Sequence, residues 1–315
     1  MKRVNPEEAG KLILRGELVI IPTETVYGLG ADALQPGAVA RIFEVKRRPR
    51  INPLIVHVNG VDMARRVAVM NRRDEQLMED YWPGPLTLVL PARSLVPAAV
   101  TAGGPTVALR MPAHPLALSL LRATDRPIAA PSANLSGRLS PTTAEAAAEQ
   151  LPMVAVLDGG PCEVGVESTV LSLVAPPRIL RPGAVTQEDL RRHLPDLSDR
   201  EGGEAFSSAP GLPSPGLLPR HYAPRTRLAW WTPGTAPDME LARVTFGSAA
   251  PEPGWGAWLS LSPSGDLREA SHRLYETLRQ LDDGRFSAIL VDPIPAEGLG
   301  AALRDRLQRG MAVDP

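Results

Sequence analysis

The chain has 315 residues and 43% apolar content, enough for one large core or two. Lys plus Arg total 34 against 35 Asp plus Glu, a formal net charge of -1, which argues against a protein whose main business is wrapping nucleic acid. The single cysteine, Cys162, rules out an internal disulfide and a cysteine-rich zinc site, and it fits a reducing compartment. The stretch Met1 to Glu8 lacks an apolar secretory segment and no apolar run reaches membrane-spanning length, so a soluble cytoplasmic protein with no membrane contact is expected.

Residues 1–200 alternate short β-rich runs with helical patterns, as an α/β domain does. Strands are expected at 18–21, 54–58, 86–90, 107–110, 128–130 and 154–157, with helices at 38–45, 74–81, 115–121 and 142–150. Thr142-Thr143-Ala144-Glu145 reads as a capping box opening the last helix. Residues 201–224 turn to Gly, Ser and Pro, which is linker composition. A smaller α/β unit is expected over 225–315, with strands near 228–231, 257–260 and 288–291 and a helix bearing Leu267, Leu274, Leu278 and Leu281 on one face.

Chemistry concentrates in four places. Lys46, Arg47, Arg48 and Arg50 crowd four cations just before the strand signal Leu54-Ile55-Val56-His57, which suits a polyphosphate held at a sheet rim; a solvated basic loop is the plain alternative. Pro53 stops any helix there. Gly28-Leu29-Gly30-Ala31-Asp32-Ala33 matches a dinucleotide fingerprint, but Pro22 to Thr25 intervenes after the strand and Pro36-Gly37 interrupts the following helix, so the segment reads better as a polar elbow carrying Thr23, Glu24 and Thr25. Pro131 to Gly137 offers small side chains and amides after another strand, and by itself would pass for a turn.

Other chemistries fail: there is no G-x-S-x-G elbow and no Walker A sequence. The five histidines, His57, His114, His193, His221 and His272, lack metal-ligand spacing, and Cys162 reads as an inert thiol.

In chain order, Pro22-Thr23-Glu24-Thr25-Val26-Tyr27-Gly28-Leu29-Gly30, Lys46-x-Arg48-Pro49-x-x-Asn52-Pro53-Leu54-Ile55-Val56-His57, Trp82-Pro83-Gly84-Pro85-Leu86-Thr87 and Pro131-Ser132-Ala133-Asn134-x-Ser136-Gly137 resemble the YrdC/Sua family of L-threonylcarbamoyladenylate synthases. The resemblance continues through Glu167-Ser168-Thr169-Val170 and Leu180-Arg181-Pro182-Gly183 to Ser214-Pro215-Gly216 and Arg220-His221-Tyr222-Ala223-Pro224, which look like the connector of the two-domain form.

The fold it implies is a YrdC-like twisted sheet with helices, plus a smaller carboxy-terminal α/β domain. The reaction it implies makes threonylcarbamoyl-AMP and pyrophosphate from L-threonine, bicarbonate and ATP, with Mg2+ accompanying ATP, and a separate transferase complex then modifies tRNA beside the anticodon. Carried over residue by residue, Lys46 and Arg48 are catalytic cations; Thr25, His57, Arg110 and Ser168 hold L-threonine; and Arg48, Asn52, Thr106, Ser132, Asn134, Ser140, Arg181 and Tyr222 hold ATP. No residue set for a metal is implied.

Tyr222 would make the linker a lid over the nucleotide, and the first domain is expected to fold without linker or second domain. Leu217-Leu218-Pro219 departs from the polar or aromatic character expected there. Two rivals stay open: a non-catalytic RNA-binding module, poorly served by 4% aromatic content, and a carbamoyl-transfer enzyme, which would need further metal-binding and transfer domains. The sequence leaves direct tRNA contact open.

Overall fold

The computed structural model describes residues 1–174, 176–198, 212, 214, 216 and 220–312. Two sheets organise it. The first is a mixed nine-stranded sheet of β1 (Val19–Ile21), β2 (Gly28–Asp32), β3 (Ile55–His57), β4 (Leu86–Pro91), β5 (Thr106–Arg110), β6 (Ile128–Ala129), β7 (Ala155–Val156), β8 (Thr169–Ser172) and β9 (Arg178–Arg181), in the order β7-β1-β2-β6-β3-β5-β4-β8-β9. The second holds β10 (Arg227–Trp230), β11 (Leu241–Phe246), β12 (Ala257–Ser262) and β13 (Ala288–Val291) in the order β10-β13-β11-β12, with every pair parallel.

Local chemistry sets the helix starts. In α1 (Pro6–Leu14), Asn5 and Glu8 form a reciprocal capping box and Pro6 opens the first turn; in α4 (Arg72–Tyr81), Asn71 and Asp74 do the same. The box expected at Thr142 and Glu145 does not form. Thr143 caps α7 (Ala144–Gln150) through the Ala146 amide at 3.2 Å, and Glu145 turns outward to Arg3.

The chain bends at Glu24 to Val26, where the elbow carrying Thr23, Glu24 and Thr25 is expected, and Gly28 to Asp32 behind it form strand β2, antiparallel to β1 and β6. Its glycines serve tight strand packing, since a Cβ on Gly30 would lie 3.2 Å from both the Ile128 side chain and the Val19 carbonyl. The helix before the basic run, α2 (Pro36–Lys46), ends well ahead of Pro53, because Arg47 adopts a left-handed conformation (φ 52°) and reverses the chain. Lys46 and Arg48 therefore both point inward while Arg47 and Arg50 stay exposed.

The second unit contains α9 (Leu267–Leu281), which buries Leu274, Leu278 and Leu281 as its pattern requires, and also β11 and α10 (Leu299–Met311), which the sequence reading passed over. The two units share an apolar core: Val26, Leu139 and Val166 from the first pack in one cluster with Tyr222, Leu274, Tyr275, Leu303 and Leu307. At Gly165 (φ 82°) the chains meet so closely that a Cβ would sit 2.3 Å from the Ser271 carbonyl oxygen. No described helix is long and apolar enough to cross a membrane.

Candidate active site

Strand register assembles one wall of a cavity. β3 and β5 run parallel with His57 beside Arg110, and β4 and β8 run parallel with Thr87 beside Val170. Because side chains alternate along strands, Ile55 and His57, Ala108 and Arg110, and Ser168 and Val170 share the same sheet face. His57, Arg110 and Ser168 thus come from three separate strand ends to line one cavity.

Hydrogen bonds fix this row. Arg110 donates from Nη1 to Thr25 Oγ1 at 2.8 Å and from Nε to the Gly84 carbonyl at 3.2 Å. Its Nη2 lies 2.7 Å from Glu24 Oε1, yet neither atom has hydrogen-bond geometry to any partner, so the pair balances charge while the guanidinium keeps a donor direction for a ligand. Glu24 is further held by the Ala113 amide, which donates to Oε2 at 3.0 Å. Ser168 Oγ is 2.7 Å from Thr87 Oγ1 and accepts from Arg181 Nη2 at 3.2 Å.

The opposite side is cationic. Arg48 lines the cavity and is braced by donating to the Asn52 carbonyl at 3.1 Å and the Pro53 carbonyl at 2.8 Å; Arg181, Ser132, His221 and Tyr222 line it as well. Tyr222 is non-glycine with φ 59°, packs edge-on to His221 with ring centroids 4.0 Å apart, and has a buried hydroxyl with no partner. Burial, and secondarily Arg181, pushes the Arg48 pKa down, as expected where cations converge on a dry pocket.

Not every expected residue reaches the cavity. Thr25, His57, Arg110, Ser168, Arg48, Ser132, Arg181 and Tyr222 line it. Lys46 does not: it sits behind the Ser132 wall, buried, with Nζ donating to the Ser132 carbonyl at 2.5 Å and to the Asn134 carbonyl. In this arrangement Lys46 holds the loop that carries Ser132 and Asn134, and its ammonium faces their carbonyls and not the cavity. Burial and then Arg48 drive the Lys46 pKa well down.

Asn134 turns its amide nitrogen to the Leu135 and Arg138 carbonyls, and Ser140 donates to Glu167 Oε1 at 2.5 Å. Asn52 is buried with both amide atoms unpartnered but lies outside the lining. Thr106 shares the Arg110 face of β5 but stands four residues away, ~13 Å along the strand, so only a ligand extended along the sheet would reach it.

The sequence assigns no role to Glu167 and His221, which line the cavity, or to Thr87 behind Ser168, although all three stand inside its motifs. Of the linker, Leu217, Leu218, Pro219 and most of the Gly/Ser/Pro run lie outside the described residues.

Two buried histidines give the site a pH signature. Burial first holds His57 and His221 down, each to about 3 from an ordinary 6.5, with Arg110 adding to the effect at His57 and Arg48 at His221. An unfolded chain takes up these protons near 6.5 and the folded one does not until about 3. Stability is therefore complete above 6.5 and falls as pH drops toward 3, by about 2 kcal/mol per imidazole at pH 5. Calorimetric melting at pH 7.5 and 5.0 should show a clear drop at the lower pH; equal midpoints would contradict neutral buried imidazoles.

Comparison with known proteins bears on the whole chain. Residues 11–183 match the Sua5/YciO/YrdC family model, described as "Telomere recombination", and residues 185–312 match the model described as "Threonylcarbamoyl-AMP synthase, C-terminal domain". The chain belongs to the Sua5/YciO/YrdC family. A Pyrococcus abyssi relative named threonylcarbamoyl-AMP synthase is 38% identical across 96% of this chain and 92% of its own length, and a Bacillus subtilis relative of the same name is 38% identical across 96% and 91%. The crystal structure of P. abyssi Sua5 complexed with L-threonine superimposes with a TM-score of 0.86 at 35% identity, covering 97% of this chain and 94% of that one. A Mycobacterium tuberculosis relative, named a putative threonylcarbamoyl-AMP synthase, matches only 58% of this chain yet spans 85% of its own length.

Proposed function

We propose that this chain is an L-threonylcarbamoyladenylate synthase that consumes L-threonine, bicarbonate and ATP. The observation that carries the reading is the convergence on one cavity of an amino-acid-sized row, Thr25, His57, Arg110 and Ser168, with two phosphate-suited guanidiniums, Arg48 and Arg181. Full-length similarity to two relatives named threonylcarbamoyl-AMP synthase supports it.

Arg110 is suited to the threonine carboxylate by its planar fork, and Glu24 keeps that guanidinium from being an uncompensated buried charge. The threonine nitrogen bonds to the bicarbonate carbon with loss of water, giving a carbamate. A carbamate oxygen then bonds to the α-phosphorus as its bond to the β-phosphate bridging oxygen breaks, and pyrophosphate leaves. Arg48 and Arg181 stabilise charge on the equatorial and leaving oxygens. His221 and Tyr222 close the cavity and exclude water from the mixed anhydride.

Mg2+ fits this reading as an ion carried by the phosphates. Both lining or adjacent carboxylates are engaged, Glu24 by Arg110 and Glu167 by Arg306, and the described residues contain no acidic or histidine cluster able to cage a metal. The product would pass to a threonylcarbamoyl transferase complex acting on tRNA in the cytoplasm.

The decisive test is incubation with ATP and bicarbonate, with and without L-threonine, reading pyrophosphate and the adenylate by mass. Threonine-independent pyrophosphate release, or none at all, would sink the reading. Specificity should follow: valine lacks the hydroxyl and should bind at least about a hundredfold worse, because buried polar groups are left unpaired, whereas serine loses one methyl worth only ~1 to 3 kcal/mol. Calorimetry ranking valine level with threonine would reject the pocket assignment.

A further inference from the structure

A buried charge cluster joins the two units. Glu167, on the first unit and lining the cavity, is buried, and three partners fill its carboxylate: Ser140 donates to Oε1 at 2.5 Å, Tyr275 donates to both oxygens at 3.2 and 3.0 Å, and Arg306 donates from Nε to Oε2 at 2.7 Å. Tyr275 comes from α9 and Arg306 from α10, 139 residues away in sequence. Arg306 also donates from Nη2 to the Glu167 carbonyl at 3.3 Å, so it grips backbone as well as side chain. Behind it, Asp305 accepts from Arg306 Nη1 at 2.6 Å and from Arg309 Nε at 2.8 Å.

The grip lands one residue from the substrate row. Ser168 follows Glu167 directly, and its carbonyl accepts from Arg181 Nε at 3.1 Å and Nη2 at 2.9 Å. Moving the Glu167 backbone would carry Ser168 Oγ away from Thr87 and take the Arg181 guanidinium with it. Burial alone would raise the Glu167 pKa, but Arg306, Arg181 and Ser140 outweigh it and hold the group down at about 2, so the carboxylate stays charged and the clamp stays closed at working pH. The shared apolar cluster already holds the two units together, and a buried ion pair adds little glue, so the clamp is better suited to fixing one geometry.

We propose that Arg306 and Tyr275 of the second unit are positioning residues for the threonine pocket of the first, acting through Glu167 on Ser168 and Arg181. The inference rests on the proposed function and assigns the second unit a part in substrate binding.

The test is calorimetric binding of L-threonine to the full-length chain and to Tyr275→Phe, Arg306→Gln and Arg306→Lys, each with its melting curve. Tyr275→Phe keeps the ring and removes only the donor, so it should fold, melt a few degrees lower and bind threonine about fivefold more weakly. Arg306→Gln should weaken binding more, and Arg306→Lys, which keeps a cation at Glu167, should recover part of the loss. If Arg306→Gln does not fold, Tyr275→Phe decides alone. A parent chain that binds no threonine overturns the proposed function and this inference with it. A parent that binds, beside a folded Tyr275→Phe that binds equally well, overturns the inference only and leaves the clamp a structural joint.

Discussion

Arg48→Ala should lower pyrophosphate release per ATP by at least about a hundredfold, since one preorganised charge contact to a developing oxyanion is commonly worth about 2.7 to 4 kcal/mol in the transition state. Arg48 is the cavity-lining cation of the basic run, buried and aimed by the Asn52 and Pro53 carbonyls. Those same bonds mean the variant does not simply relieve repulsion. Removing the guanidinium leaves two carbonyls without a donor, at about 1 to 3 kcal/mol if water cannot reach them, so the melting midpoint should fall as well. Arg48→Lys should restore part of the rate but not the bracing, because a point ammonium cannot serve both carbonyls and a phosphate as a planar fork does. Steady-state kinetics at saturating threonine, with melting curves, checks this; an Arg48→Ala protein with parental kcat and KM for ATP would remove Arg48 from the phosphate site.

How much of this was legible in the sequence depends on range. His57 and Arg110 stand at the ends of strands whose apolar, β-rich runs are plain in the text, whereas β8, which Ser168 precedes, is absent from the strands expected from sequence. Lys46 was legible as important but not as a wall support, because only the left-handed turn at Arg47 decides that Lys46 and Arg48 point to different layers. Strand β2 was hidden by its composition: Gly28-Leu29-Gly30-Ala31-Asp32 has poor strand propensity and owes its state to flanking strands β1 and β6. Strand β11 was hidden by Arg243, which breaks the apolar alternation yet is buried in an ion pair with Asp292. The Glu167 clamp was illegible for a different reason. In Leu299 to Met311 the charges of Arg304, Asp305, Arg306 and Arg309 look like any solvated helix face, and no local pattern says that Arg306 alone turns inward.

Cutting the chain after Ser198 should yield a first unit that is poorly stable, against the sequence-based expectation of an independent fold. Val26, Leu139 and Val166, all buried in the intact chain, would face water, at about 1.5 to 3 kcal/mol each for large side chains. The Ser271 hydroxyl that donates to the Val164 carbonyl at 2.6 Å and the Arg279 guanidinium that donates to the Ser140 carbonyl at 3.3 Å would go too. Glu167 would keep Ser140 and lose Arg306 and Tyr275. With 1 kcal/mol shifting a domain of this size by roughly 2 to 4 °C, the midpoint should drop at least about 10 °C. Val166→Glu introduced into the fragment should improve its solubility, because it replaces apolar surface that the second unit covers in the intact chain. Differential scanning calorimetry of the fragment beside the full chain decides the matter: coincident midpoints, with threonine binding unchanged, would show that the second unit contributes neither stability nor geometry to the first.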